Sequence, residues 1–310
     1  GAECLVLGHT RWASVGIISE PNAHPLNHEE THDAGGPYVI GALNGDVDNH
    51  LELVRRCELS LHEAITTDAK VIPTLVSREM RAGRSFGEAF RRTVASFEGS
   101  VAIAAASTRE PHRLSLALRG SGQALYVGLA EDTFVVASEP YGVVEDCDRY
   151  LRMDGETPGN AASPAASRGQ VVLLDRAGAG ELSGITRCAY DETPLPVAAA
   201  QLTRAAVTTR DIDRGPFRHF LAKEIGEAPA SLQKTLRGRI VTARGANGAD
   251  RLRVGLPASS LPDAVVQALR TQRVRRILVI GQGTAAVAGQ AVAAAFADAR
   301  AAAPIAIEAM

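Results

Sequence analysis

Cys4-Leu5-Val6-Leu7-Gly8-His9-Thr10-Arg11-Trp12-Ala13-Ser14 joins two unlike kinds of residue without a spacer. The first four side chains are apolar, and a short apolar run closed by glycine reads as a buried strand, Cys4 to Gly8. Polar and cationic residues follow at once, so this strand leads into a loop able to carry chemistry. On this reading Cys4 points into packing. A strand must pair its backbone groups with neighbours, yet one strand opens the chain and another, Pro304-Ile305-Ala306-Ile307-Glu308-Ala309-Met310, closes it. Both ends read as the edges of a fragment of a longer protein.

Outward from this stretch, residues 1–190 alternate short Val-, Ile- and Leu-rich runs with Gly, Asn and Asp. Strands are expected at Tyr38–Leu43, Val101–Ala105, Leu114–Ala117, Leu125–Gly128, Thr133–Ala137 and Gln170–Leu174. Amphipathic spacing places helices at Asn49–Arg56, Ala69–Ala82 and Phe86–Phe97, with Asp68 at the N-cap of the second. Residues 155–168, rich in Gly, Pro, Ala and Ser, read as a surface loop. Composition shifts near residue 190, and Thr208–Pro216 is polar and turn-rich. The expected division is a first domain over 1–207, a linker over 208–216 and a second domain over 217–310. In the second, helices are expected at Phe217–Ile225, Pro229–Leu236 and Pro262–Thr271. A strand at Arg275–Ile280, a turn at Gly281-Gln282-Gly283 and an alanine-rich helix at Thr284–Ala297 follow. Strand, glycine turn, helix, strand is how a doubly wound α/β domain begins. No internal repeat is visible.

Composition excludes several classes. The chain has 310 residues, 45% hydrophobic and 22% charged, with a formal net charge of −2. Such a balance offers no footprint for a nucleic acid. No apolar run is long enough to span a bilayer and no signal-peptide pattern is present. Cys4, Cys57, Cys147 and Cys188 are too far apart for a metal or disulfide framework and read as reduced thiols in cytoplasm. No cofactor is implied.

Four polar segments stand out: His9-Thr10-Arg11-Trp12-Ala13-Ser14, Asn22-Ala23-His24-Pro25, Leu43-Asn44-Gly45 and Thr66-Thr67-Asp68. Taken singly, Arg11 beside Trp12 reads as a cation–π pair, Asn44-Gly45 as a turn and Asp68 as a cap. Together they fit recognition of an α-amino acid. The fork of Arg11 suits a carboxylate, Asp68 an ammonium, and the Asn44 amide with the Gly45 N–H an oxyanion. A nucleophile with a base is missing from the set.

These segments, in this order and spacing, resemble the class II glutamine amidotransferases, in particular the glucosamine-6-phosphate synthase branch. Arg119-Gly120-Ser121, Ala137-Ser138-Glu139, Arg218-His219-Phe220-Leu221-Ala222-Lys223-Glu224-Ile225 and Thr235-Leu236-Arg237-Gly238-Arg239-Ile240 extend the likeness across nearly the whole chain. The resemblance implies an α+β N-terminal-nucleophile hydrolase of stacked antiparallel sheets with helices, followed by the start of a doubly wound sugar-isomerase (SIS) domain. It implies hydrolysis of glutamine and passage of ammonia to a sugar phosphate, turning fructose 6-phosphate into glucosamine 6-phosphate. The nucleophile of that family is a Cys at the processed N-terminus, which these 310 residues do not contain, so the chain alone is expected to be inactive. By resemblance, Arg11 and Asp68 bind glutamine, Asn44 and Gly45 form the oxyanion hole, and Trp12 gates ammonia. Ser14 and His24 line the pocket, and Gly283 and Thr284 meet sugar phosphate. The family also implies a homodimer formed through the isomerase half.

Two departures weigh against activity. Val15 stands where the family has histidine, and Ala285 where its phosphate turn has a hydroxyl. They favour the alternative of a catalytically degenerate sensor or scaffold. A metal reading of His24, His28 and His32 with Glu29, Glu30 and Asp33 rests on spacing alone, and His28 and His32 are expected in solvent. Gly281, Gly283 and Ala286, with Glu308 as a ribose partner, also fit a dinucleotide fingerprint at the wrong acidic spacing.

Overall fold

Alternation of side chains along the strands decides how this chain layers. The structure is a computed structural model that describes residues 4–33, 35–120, 122–157, 168–204, 214–237, 239–244, 250–255, 262–281, 284–299 and 305–309. The chain divides into two compact units, 1–213 and 214–310.

In the first unit, β1 (Leu26–Asn27), β2 (Val39–Gly45), β3 (Val101–Ser107), β4 (Arg113–Arg119), β8 (Gln170–Asp175) and β9 (Ile185–Cys188) form one antiparallel sheet in that order. A second antiparallel sheet has the order β10 (Thr203–Arg204), β7 (Arg149–Arg152), β5 (Tyr126–Leu129), β6 (Phe134–Ala137). The period of two along β3 is informative. Val101, Ile103 and Ala105 join a core with Phe86, Phe90, Ile72 and Val76. These last come from α2 (Val71–Arg81) and α3 (Phe86–Ala95), which with α1 (His50–Arg56) cover that face. Ala102 turns the other way, into a core with Leu116, Leu118, Val127, Leu151 and Val172 between the two sheets. Stacked antiparallel sheets with helices are thus present, as the α+β expectation requires.

Four expectations are corrected here. Residues 4–8 are not a strand: among the described residues nothing pairs with them, and without a ladder an apolar run has no reason to stay regular. Cys4 is exposed, not packed. Asp68 is no N-cap; Thr67 takes that place, its hydroxyl accepting from the Ala69 N–H, and a 3-10 turn at Asp68–Lys70 precedes α2. His28 is buried, its ring edge-on to Tyr38 at 5.3 Å, where solvent exposure was expected.

In the second unit one helix, α4 (Phe220–Leu236), replaces the two expected and runs through Pro229. Proline removes one hydrogen bond but leaves the rest of an exposed helix intact. A hairpin of β11 (Ile240–Arg244) and β12 (Asp250–Val254) follows, then α5 (Asp263–Arg270). Next, β13 (Arg276–Val279) pairs in parallel with β14 (Ala306–Ala309) across α6 (Thr284–Ala299). That parallel pair with its crossover helix is the βαβ opening expected of a doubly wound domain. Glu308 is ion-paired to Arg276. The expected linker falls largely, and Gly283 entirely, outside the described residues, as does most of the 155–168 loop; Thr284 is the first residue of α6.

No helix among the described residues is long and apolar enough to cross a membrane, and none of them form a cluster of His, Cys, Asp and Glu able to hold a metal. Glu30 and Asp33 are instead taken by Arg78 and Arg81.

Candidate active site

A cleft of about 880 Å³ opens in the first unit, and Arg11, Trp12, Ser14, Val15, His24, Asn44, Gly45 and Asp68 all line it. Its floor comes from the second face of β2 and β3. Ala42 and Asn44 lie opposite Ala104 and Ala102 in the ladder, and Ala42, Ala102 and Ala104 all face the cleft. Sheets pack about 10 Å apart, so methyl groups at three adjacent positions leave volume that larger side chains would fill. Leu5, Leu7, Leu114, Phe134, Val136 and Leu174 make one end apolar, and the polar segments make the other.

Three loops are stitched together at the polar end. Arg11 folds back on its own loop, donating from Nη1 to the Ile17 carbonyl at 3.0 Å and from Nη2 to the Val15 carbonyl. Two of its five N–H groups are spent on orientation, and the fork is held before any ligand arrives. Gly16 lets that loop approach the next. Its φ is +82°, and a Cβ there would lie 2.7 Å from the Thr66 carbonyl group. The Ile17 N–H donates to Thr66 Oγ1 at 3.0 Å.

Asn22 links the second and third loops. Its Oδ1 accepts from the N–H groups of Thr66 and Thr67 at 2.8 and 2.9 Å. Its Nδ2 donates to the Ala64 carbonyl at 3.0 Å and to Ser19 Oγ at 2.8 Å. The residue is fully buried. Thus one amide aligns the segment bearing Asp68 with the segment bearing His24.

Asp68 is 3% exposed. Its Oδ2 accepts from the Val47 N–H at 2.7 Å and its Oδ1 from Thr67 Oγ1 at 3.3 Å. Burial raises its pKa above the ordinary carboxylate value, with the Val47 hydrogen bond opposing and the charge of nearby Asp46 reinforcing the rise. His24 precedes a cis peptide bond to Pro25 and donates from Nδ1 to the Leu43 carbonyl at 3.1 Å. The His9 ring lies 4.7 Å away. Burial, then the neighbouring His9 and Arg11, lower the His24 pKa to about 4. Burial lowers His9 as well. Both rings are therefore neutral at pH 7.

A pH effect on stability follows. Unfolded, His24 takes a proton below about pH 6.5; folded, it does so only near 4. Between these values the unfolded chain binds the extra proton, so the His24 contribution is full above 6.5 and is lost as pH falls toward 4. Urea midpoints at pH 7.5, 5.5 and 4.5 should fall more steeply for the unmodified chain than for His24→Gln. Parallel curves would remove the effect.

Gly45 ends β2 with φ +114°, and a Cβ there would stand 2.1 Å from the Ser100 carbonyl oxygen. Only glycine fits. Asn44 is exposed in the cleft, and Trp12, at 97% exposure, stands on its rim. The structure thus brings together all seven first-unit residues singled out in the sequence. Two further lining residues carried no motif. Gln123 packs beside Gly45, and Asp46 accepts a hydrogen bond from Ser14 Oγ. Asp46 adjoins Asn44-Gly45, and that adjacency was the available signal.

No family model matches the chain. It is 31% identical over 288 residues to the glutamine–fructose-6-phosphate aminotransferase (isomerizing) of Symbiobacterium thermophilum, covering 91% of this chain and 39% of that protein. It is 34% identical over 237 residues to the protein of the same name from Leifsonia xyli subsp. xyli, covering 75% and 33%. The chain spans 39% or less of the length of these relatives. Among solved structures, it is 20% identical to a glutamine phosphoribosylpyrophosphate amidotransferase from B. subtilis complexed with ADP and GMP. The TM-score is 0.42, with 59% of this chain and 34% of that chain covered.

Proposed function

This chain is a homologue of the glutamine–fructose-6-phosphate aminotransferases, and from that premise we propose that its first unit is the glutamine site of such an enzyme. The observation that carries the reading is the convergence of Arg11, Asn44, Gly45 and Asp68 on one cleft. A guanidinium already oriented by two carbonyls meets the α-carboxylate of glutamine, and anionic side chains meet its ammonium group. Asn44 and the Gly45 N–H receive the oxyanion that develops as the side-chain amide is attacked. The attacking group is the terminal Cys of the whole protein, its α-amino group serving as base. Without it, residues 1–310 bind glutamine and do not hydrolyse it. Ammonia then passes to a sugar phosphate, fructose 6-phosphate, held in the second unit, with Thr284 at the start of α6 assigned to the phosphate. The whole enzyme acts in the cytoplasm and pairs through that unit.

The test is ammonia release from glutamine by the whole protein, with and without fructose 6-phosphate. Release that rises with the sugar supports the coupled synthase. Val15 lines the cleft in place of a hydrogen-bonding residue, which favours the second reading of a glutamine sensor. Glutamine binding without hydrolysis by the whole protein would select it. Within the 310-residue chain, Arg11→Ala should weaken glutamine binding by about tenfold to a hundredfold, the range of a lost charge-assisted pair. An unchanged affinity by calorimetry would remove Arg11 from the site.

A further inference from the structure

A second cavity, of about 360 Å³, lies among α1, α2 and α3 and shares no lining residue with the cleft. We propose that it is a binding site for a phosphate monoester carrying a small apolar group, with Arg56, Arg92 and Thr93 as its polar contacts. Its floor is apolar: Leu53 is fully buried and Leu75 nearly so. Its rim is cationic, with Arg56, Arg91 and Arg92 against the single carboxylate of Glu79. The volume falls at the lower end of small-ligand pockets, about 300–1,000 Å³, and gives room for a phosphate and one ring. Leucine side chains offer nothing to the hydroxyls of a sugar, so the body of the ligand is apolar.

The donors on this rim are unevenly spent. Arg91 is committed to Glu88, Glu192 and the Tyr190 carbonyl. Among the described residues, Arg92 donates only from Nε, to Glu79 at 3.2 Å, and Arg56 only from Nη1, to Glu52 at 3.2 Å. Most of the five N–H groups on each guanidinium are therefore open. Both side chains are about half exposed, and ion pairs so exposed hold weakly. A phosphate accepts guanidinium forks two bonds at a time, and Glu79 keeps Arg84 at 3.1 Å when Arg92 turns to it. Thr93 gives an independent sign. It is 4% exposed, yet its hydroxyl has no hydrogen-bond partner among the described residues, not even the carbonyl one turn back that helical threonines use. An unpaired buried hydroxyl is costly, and this one stands in the cavity wall, where a ligand oxygen accepts from it. The carbonyl ends of α1 and α3 would repel an anion here. Arg78 covers the Cys57 carbonyl, however, and Asn49 Nδ2 the Ser96 carbonyl.

Three compounds test this on the 310-residue chain: phenyl phosphate, phenol and inorganic phosphate. Calorimetry should show phenyl phosphate bound about tenfold or more tighter than either fragment, since head and ring are both held. Arg92→Gln and Arg56→Gln keep most of each stem and should each weaken phenyl phosphate about tenfold or more. Arg92→Lys, which keeps the charge without the fork, should lose less. Thr93→Val keeps the side-chain shape and removes the hydroxyl. It should raise the urea midpoint, because an unpaired buried group is gone, and also weaken phenyl phosphate; a purely structural Thr93 would change the midpoint alone. Saturating glutamine should not displace the compound. No binding, phenyl phosphate held no better than phenol or inorganic phosphate, or unchanged affinity in Arg92→Gln or Thr93→Val would overturn the site. Displacement by glutamine would place the compound in the cleft and overturn it as well.

Discussion

Asn22→Ala is expected to lower the unfolding free energy by about 2–4 kcal/mol, since it strands one buried and two part-buried backbone groups at about 1–3 kcal/mol each, less what water recovers. The groups are the N–H donors of Thr66 and Thr67 and the carbonyl of Ala64. The effect exceeds that of an ordinary surface substitution because one side chain serves all three. Asn22→Asp keeps the acceptor and loses both donors, so it should fall between the two. Urea denaturation of the three proteins gives the order directly. A loss below about 1 kcal/mol for Asn22→Ala would mean the loop is held by something other than this amide. The same variant should also weaken glutamine binding, because Asp68 follows the two residues that Asn22 holds.

Gly45→Ala should be the other severe change. Two costs coincide at this position: a positive φ that disfavours any Cβ, and a backbone oxygen 2.1 Å from where that Cβ would stand. The first is about 1–3 kcal/mol. The second cannot be relieved by a rotamer change, since the Ser100 carbonyl belongs to the chain entering β3. Gly83 supplies the control, with φ +96° and nothing within 4 Å of an added Cβ. Gly83→Ala measures the conformational cost alone, and Gly45→Ala should exceed it by about 2 kcal/mol or more. It should also abolish detectable glutamine binding. Equal destabilisation of the two variants would show that the Ser100 segment yields, and that the close approach is not enforced.

Much of this could be read from the sequence where the signal was periodic or chemical. The strands of the six-stranded sheet with clear Val, Ile and Leu alternation, such as Val101–Ser107, stood out because one face or both must be buried. The polar segments stood out because Arg, Asn-Gly and Asp are costly residues to keep near a cleft without a purpose. What escaped had another cause. Arg149–Arg152 is a strand flanked by arginines, and its exposed positions hide its pattern. Cys4–Gly8 has the composition of a strand, but composition cannot supply the neighbour a strand requires. Pro229 read as a boundary, because a proline rule applied to an exposed helix overstates the cost of one missing hydrogen bond. His28 looked like a loop residue because its packing partner, Tyr38, is ten positions away and nothing local announces the contact. Asp46 carries no pattern of its own in the sequence, and only the closeness of Ser14, thirty-two positions earlier, gives it a part.

The alanines at 42, 102 and 104 have a mechanical consequence. They place the cleft against a continuous hydrogen-bonded ladder, Val39–Gly45 on Val101–Ser107, while loops provide its polar rim. Amide protons in that ladder should exchange with solvent slowly, on the scale of global opening, and those of residues 14–18 much faster. A ligand then enters by displacing the rim over a stiff base. Its residence time is governed by loop motion, and the core need not breathe to let it leave.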